Sequence, residues 1–317
     1  GTSAPRHFVI SRIDALLMLM VLIWGTNFSV IKWAFEEIPP QPFNALRLVI
    51  SSLAFLAAIH WARRQARLGA QVSSILHTPN ALTRRDRIDL IWLGLVGHLG
   101  YQFFFVGGVA LSTASNAALI VGTTPTVLAV VSALLGRERI SGFHWAGALM
   151  AVTGIAFVVG PSVSFGGATW RGDLMVMCSV ACWTTFTLGS ASLITRHSPL
   201  YVTGMTMVYG GIPYVVLALP QILRVDWAGV SIGSLAALVL SALLALNLAY
   251  VIWYTGVQRL GPARTSIYSN GVPIVAMFVA AIWLGESLTW TKIIGAAAVL
   301  GGVALTRLGR RLLLQSR

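Results

Sequence analysis

The chain reads as long apolar runs that follow one another almost without pause. They lie near 14–35, 42–62, 88–111, 115–136, 142–161, 172–194, 199–223, 230–256, 263–284 and 289–308. A helix needs roughly 20 mostly apolar residues to cross the hydrocarbon core of a bilayer. Backbone polar groups in lipid must be bonded inside the protein, so only helices and closed barrels span. The runs lack the alternation of barrel strands. The pattern therefore predicts an all-α polytopic membrane protein of ten transmembrane helices.

The pattern also repeats. A shift of 148 places Pro125 on Pro273, Glu138 on Glu286, Gly147 on Gly295 and Gly154 on Gly302, with Gly108 on Gly256 and Val109 on Val257. A shift of 159 places Asp14 on Asp173, Trp24 on Trp183 and Pro40 on Pro199. A longer loop in the first half, around 63–86, absorbs the difference. The expected organisation is a tail 1–13, a five-helix repeat 14–161, a linker 162–171, a second five-helix repeat 172–308 and a basic tail 309–317. Five is odd, so the repeats enter the membrane from opposite sides. Inverted repeats are characteristic of secondary transporters, whose site lies near the midplane at the repeat interface. The competing explanation is an old duplication in a protein that does not transport.

Composition agrees with a lipid environment. Hydrophobic residues make up 56% and charged residues 10%, against about 25% charged in a soluble domain. The net charge of +13 would suggest nucleic acid in a soluble protein, but its distribution points elsewhere. Sorting Lys and Arg by the predicted spans puts 17 on one side, including Arg63, Arg64, Arg67, Arg84, Arg85 and Arg87. Only Lys32, Arg171, Arg224 and Lys292 fall on the other, and Arg47 lies inside a span. The positive-inside rule makes the basic side cytoplasmic and places both termini there. No cleavable signal peptide is evident, and Gly1-Thr2-Ser3, in place of a start Met, is read as a cloning remnant. Cys178 and Cys182, four apart in one span, are assigned to packing rather than to a disulfide or a metal.

Polar residues inside spans are candidates for function. All nine acids fall at span ends or in loops, leaving no midplane carboxylate to bind a coupling cation. Facilitated diffusion or exchange is expected. His98 is the best mid-span titratable group, for proton handling or as a neutral interhelical hydrogen-bonding residue. Residues three and four apart share a helix face, so His98, Tyr101 and Gln102 form one patch and Asn247, Tyr250 and Tyr254 another. Such a lining suits an amphipathic substrate, although Trp253 and Tyr254 also fit an interfacial belt. Trp24 and Asn27 lie halfway along the first span, and Trp183 at the equivalent point of the sixth. Arg47 is a candidate for a substrate carboxylate; the alternatives are snorkelling or pairing with Glu36 or Glu37. Pro125 and Pro273, the second preceded by Tyr268, Ser269 and Asn270, are candidate hinges or inert kinks. Small residues four apart, Gly147–Ala151 and Ala298–Gly302, suggest a scaffold or a homodimer surface on the fifth and tenth helices. Glu138 and Glu286 are candidate gate ion pairs of lower rank.

Several segments resemble a known family. They are Trp24-Gly25-Thr26-Asn27-Phe28 with Lys32, then Pro40, Phe43 and Arg47, then Pro125 with Leu135-Gly136-Arg137-Glu138, and Pro273 with Leu284-Gly285-Glu286. With the glycine-spaced helices after them, they resemble the EamA-type branch of the drug/metabolite transporter superfamily, and within it the YddG-type aromatic amino-acid exporters. The resemblance covers nearly the whole chain. It implies ten helices, alternating access, and export of amino acids or other metabolites across a bacterial inner membrane. The expected partners are a small-molecule substrate and the lipid bilayer. No nucleic acid, metal or cofactor is implied. A phosphorylated-sugar or nucleotide-sugar exchanger is the alternative within transport, but a dianion favours several basic residues in the cavity and only Arg47 lies inside a span. A membrane-embedded enzyme needs a nucleophile–base pair, a metal cluster or paired carboxylates near the midplane, and the sequence shows none. A structural membrane protein is the remaining class.

Overall fold

The computed structural model describes residues 12–136, 142–164, 169–260, 265 and 268–315. Glu138, with Arg6, Arg137, Arg139, Arg264 and Arg317, lies outside the described residues. Among the described residues every regular element is helical: α1 Arg12–Ala34, α2 Pro40–Arg67, α3 Arg84–Gly94, α4 Tyr101–Leu111, α5 Ala114–Gly122, α6 Thr124–Leu134, α7 Gly142–Ser164, α8 Thr169–Arg196, α9 Pro199–Ile222, α10 Ile232–Leu240, α11 Ala249–Leu260, α12 Gly271–Trp283 and α13 Trp290–Gln315. Among the described residues seven helical stretches are long and apolar enough to cross a membrane, three of them (Arg84–Leu111, Ala114–Ser132 and Ile232–Gly256) running through consecutive elements, and three shorter apolar segments accompany them: Trp145–Val158, Gly271–Trp283 and Trp290–Leu305. Large apolar side chains such as Leu53, Val216, Leu217 and Phe278 stand more than half exposed on outward faces. A water-facing surface does not carry such a density of them. The protein is an all-α, polytopic membrane protein.

Each connection has a local cause. Pro40 and Pro199 open α2 and α9, where a missing N–H is harmless and the fixed φ suits a first turn. The chain breaks at Thr123 before Pro125, and at Ser269–Asn270 before Pro273. Each proline thus sits in the first turn of the helix that follows, α6 or α12. Gly285 adopts φ +66° after α12, and the Glu286 N–H then bonds back to the Ala280 carbonyl at 3.2 Å. This left-handed stop is one that glycine makes readily.

The first basic loop is shorter than expected. Helix α2 runs on to Arg67, past the predicted end at 62, because Ala62–Arg67 is rich in strong helix formers.

Two stretches depart from α geometry. Leu95–Gly100 joins α3 to α4 as a π-helical segment, and Ser241–Leu248 joins α10 to α11 in the same way. The shift of 148 brings them onto each other. π-Turns are rare and concentrate at functional sites.

Packing joins the two halves throughout. α1 lies on α12, α2 on α9, α4 on α8 and α7 on α13. The last pair is closest. A Cβ on Gly302 would stand 2.5 Å from the Gly147 carbonyl, and one on Gly154 would stand 2.7 Å from the Gly295 carbonyl. The small residues of the fifth and tenth spans are therefore used within one chain, to bring two backbones together.

Candidate functional site

The two π-turns face the middle of α1, α2, α8 and α9, and aromatic rings gather there. Trp24 of α1 meets Tyr250 edge to face at 5.9 Å and Trp253 at 5.9 Å. Tyr250 meets Trp183 of α8 at 5.7 Å. Trp183 meets Tyr101 at 5.1 Å, and Tyr101 stacks on Phe105 at 5.5 Å. Phe105 meets Phe28 at 5.5 Å. These separations fall in the range where quadrupoles favour edge and offset contacts. The rings form a chain with three contacts between the halves: Trp24–Tyr250, Trp24–Trp253 and Tyr101–Trp183.

Arg47 lies beside this chain. It is fully buried, about two turns into α2, so it does not snorkel. Its Nη1 donates to Asn44 Oδ1 at 3.2 Å, one turn back on the same helix. Its guanidinium carbon sits 5.8 Å from the Phe43 ring centroid. Tyr101, Tyr214 and Tyr250 are its electrostatic neighbours. Among the described residues no salt bridge includes Arg47, and its Nε has no protein partner. Glu37 is engaged elsewhere and accepts the Ser231 N–H at 2.8 Å. Leaving a buried charge unpaired costs several kcal/mol, and such a charge in a membrane protein marks a pathway or site.

The other candidates divide between lining and support. Asn247 Nδ2 donates to the Ser51 carbonyl at 3.1 Å, and its Oδ1 has no partner. Gln102 is buried with Oε1 unpartnered. Trp24 Nε1 donates to the Ala245 carbonyl at 3.0 Å, inside the second π-turn. Asn27 Oδ1 accepts from the Ser241 hydroxyl at the start of that turn. His98 Nε2 lies 3.2 Å from Thr206 Oγ1, and its ring packs on Phe186. It ties the first π-turn to α9 and fits the interhelical alternative for this residue. Tyr254 is buried beside Tyr250, at 6.5 Å between centroids. A gap of about 10 Å³ between Phe55, Thr203, Tyr250 and Tyr254 has room for about one water.

Tyr268 and Asn270 sit elsewhere. Tyr268 donates its hydroxyl to Asp14 Oδ1 at 2.5 Å, toward the basic face. Asn270 precedes α12 without a side-chain capping bond, and its Oδ1 is buried without a protein partner. Asn44 and Tyr214 are site residues the sequence reading missed. Asn44 was findable, being three residues before Arg47 and so on its face.

A second polar cluster holds the face opposite the basic loops, and it includes Glu286, the lower-ranked gate candidate. Lys32 Nζ donates to the carbonyls of Val109 at 3.0 Å, Ala110 at 3.1 Å and Ser112, which complements the negative C-terminus of α4. Glu286 accepts from the Ala114 N–H at 2.6 Å and from Ser115 N–H and Oγ at 3.1 and 2.6 Å. A carboxylate is thus placed at the positive N-terminus of α5. Asp173, wholly buried, accepts from the Ser112 hydroxyl and from Asn116 Nδ2 at 3.5 Å. Lys292 lies 3.6 Å from Glu286.

Family comparison agrees with the geometry. The profile of the EamA-like transporter family matches residues 11–160 and, a second time, residues 170–308. The chain belongs to the EamA-like transporter family. Among relatives of this EamA-like protein is the uncharacterized transporter YyaM of Bacillus subtilis, 23% identical over 91% of each chain. Another is a probable terminal-alkyne amino-acid exporter of Streptantibioticus cattleyicolor, 25% identical over 93% of this chain and 94% of the other. A solved crystal structure at 20% identity superposes with a TM-score of 0.62 over 96% of this chain and 100% of its own, a likeness of fold.

Proposed function

We propose that this EamA-like transporter exports a small neutral or zwitterionic metabolite, an aromatic or other neutral amino acid, by alternating access across a bacterial inner membrane with both termini cytoplasmic. Arg47 carries this reading: a buried guanidinium with no carboxylate partner among the described residues, placed against aromatic rings from both halves. A substrate carboxylate would supply the missing counter-charge through paired N–H···O bonds. Trp24, Tyr101, Trp183 and Tyr250 would take the apolar body and attract the ammonium by their ring faces. Gln102 Oε1 and Asn247 Oδ1 are acceptors left for that ammonium. The amino-acid exporter among the relatives favours the same substrate class. Arg47 as the one central cation among the described residues disfavours a dianionic sugar phosphate.

The mechanism we infer uses ten crossings arranged as two inverted repeats. The family profile matching twice supports the repeat, as do the paired π-turns and the paired breaks before Pro125 and Pro273. The repeat-equivalent aspartates support the alternation. Asp14, on the first helix of one repeat, holds Tyr268 toward the basic face. Asp173, on the first helix of the other, holds Ser112 and Asn116 on the opposite face. Opening one face would release one aspartate while the other stays engaged, with bending at the two breaks. Described carboxylates all lie away from the aromatic chain, which favours movement without a coupling ion. A homodimer would have to use outward faces of α7 and α13, since their glycine faces are occupied.

Proteoliposome flux tests this. Tryptophan, phenylalanine and leucine should exchange measurably, and sugar phosphates should not. Absence of flux for every amino acid would sink the reading.

A further inference from the structure

We propose that the basic face carries a site for a phosphate-bearing anion, filled in the membrane by the headgroup of an anionic phospholipid. A cavity of about 630 Å³ opens between the end of α2, the loop 68–83 and the start of α9. Arg63, Arg67, His77 and His197 contribute to its wall, with Thr78 and Ser198 beside them. No carboxylate lines it.

The nearest acid, Asp86, is already engaged. It accepts from Arg196 Nη2 at 2.7 Å, lies 3.2 Å from His197 Nε2, and closes a capping box with Thr83. Arg63 and Arg67 are thus left without an acidic partner in the cavity. One turn apart on α2, they face the same opening. Arg63 is also held in place, its guanidinium carbon 4.9 Å from the Tyr201 ring centroid. Guanidinium groups bind phosphate oxygens through paired donors, so a held Arg63 with Arg67 one turn away suits a phosphodiester.

The depth suits a headgroup. Trp61, half exposed two residues before Arg63, is the kind of residue that sits at the membrane–water interface. The lower wall turns apolar at Ile59 and Leu76, where acyl chains would begin. The loop that forms the far wall is itself tied to the α8–α9 turn: Leu200 N–H bonds the Ile75 carbonyl at 3.1 Å, and Ser198 N–H bonds Thr78 Oγ1 at 2.9 Å. Basic pockets between spanning helices on the cytoplasmic side are recognised by anionic headgroups.

The test is thermal unfolding of the delipidated full chain in neutral detergent. The probes are phosphatidylglycerol, phosphatidylcholine, glycerol 3-phosphate and inorganic phosphate. Phosphatidylglycerol should raise Tm by several degrees and phosphatidylcholine should not. The shift should vanish in R63Q/R67Q and persist in R64Q/R84Q, whose arginines lie outside the cavity. Native mass spectrometry should show a retained phosphatidylglycerol adduct that R63Q/R67Q loses while remaining monodisperse. A shift with glycerol 3-phosphate, equally dependent on Arg63 and Arg67, would assign the same site to a soluble phosphate. Loss of the effect in R64Q/R84Q, or its survival in R63Q/R67Q, would overturn the proposal in favour of diffuse charge.

Discussion

Trp24 and Tyr250 meet edge to face with centroids 5.9 Å apart, one from each half of the chain. The contact joins the first helix to the first turn of α11, and the same indole bonds the Ala245 carbonyl in the second π-turn just before it. A ring shared by both halves can report on a ligand and on their relative movement.

The first prediction follows from this contact. Addition of phenylalanine should shift or quench the protein's Trp emission. The change should shrink in Trp24→Phe and Trp183→Phe, and survive in Trp61→Phe, which lies far from the site. Tyr101→Phe should keep most of the flux, whereas Tyr101→Ala should lower it about tenfold, as loss of an aromatic contact near 1.5 kcal/mol implies.

How much of this was legible in the sequence depends on the kind of signal. Apolar runs located most of the helices, since a membrane span is a composition statement, but α2 and α13 run five and seven residues past the predicted ends at 62 and 308, where charged helix formers extend the turn beyond the apolar stretch. The α-helical period that grouped His98 with Tyr101 and Gln102 breaks at the first π-turn, where His98 bonds Thr206 of α9 while Tyr101 joins the aromatic chain. The π-turns were not legible. They insert one extra residue into a turn without a side-chain signature, and Asn247 and Tyr250 are re-aimed by that insertion. Lys32 and Glu286 ranked low because charges at span ends usually face water. Their roles depend on the Ser112–Ser115 hairpin coming to them, a tertiary fact.

That hairpin gives the second prediction. Glu286→Gln weakens the charged hydrogen bonds to Ala114 and Ser115, each worth about 1.5 kcal/mol or more. A cysteine placed at Asn116, in a chain lacking Cys178 and Cys182, should then label about tenfold faster with an impermeant thiol reagent. Asp173→Asn should act in the same direction. Unchanged labelling in both would remove this cluster from gating.

The scaffold gives the third. Gly302→Ala puts a methyl 2.5 Å from the Gly147 carbonyl. Overpacking of this kind destabilises by about 1–3 kcal/mol. Tm should fall, while flux per folded molecule stays near wild type. A selective loss of flux with Tm unchanged would place α7 and α13 in the pathway instead.

Ion coupling gives the fourth. His98 is bonded to Thr206 and packed on Phe186, and no described carboxylate lies in the aromatic site. Counterflow should therefore be insensitive to an imposed pH gradient. A gradient that drives accumulation, and fails to do so in His98→Gln, would assign proton handling to this residue.

The most direct measurement concerns Arg47. Phenylalanine binding and exchange should be compared for wild type, Arg47→Lys and Arg47→Ala in the same liposomes, with folding checked by Tm. Arg47→Ala should weaken amino-acid binding by about 10- to 100-fold, in line with a charged hydrogen bond worth about 1.5–3 kcal/mol. Arg47→Lys should recover part of it, and phenethylamine, which lacks the carboxylate, should bind wild type and variants alike. If Arg47→Ala folds and binds phenylalanine as tightly as wild type, the buried guanidinium is not the carboxylate site and the account fails.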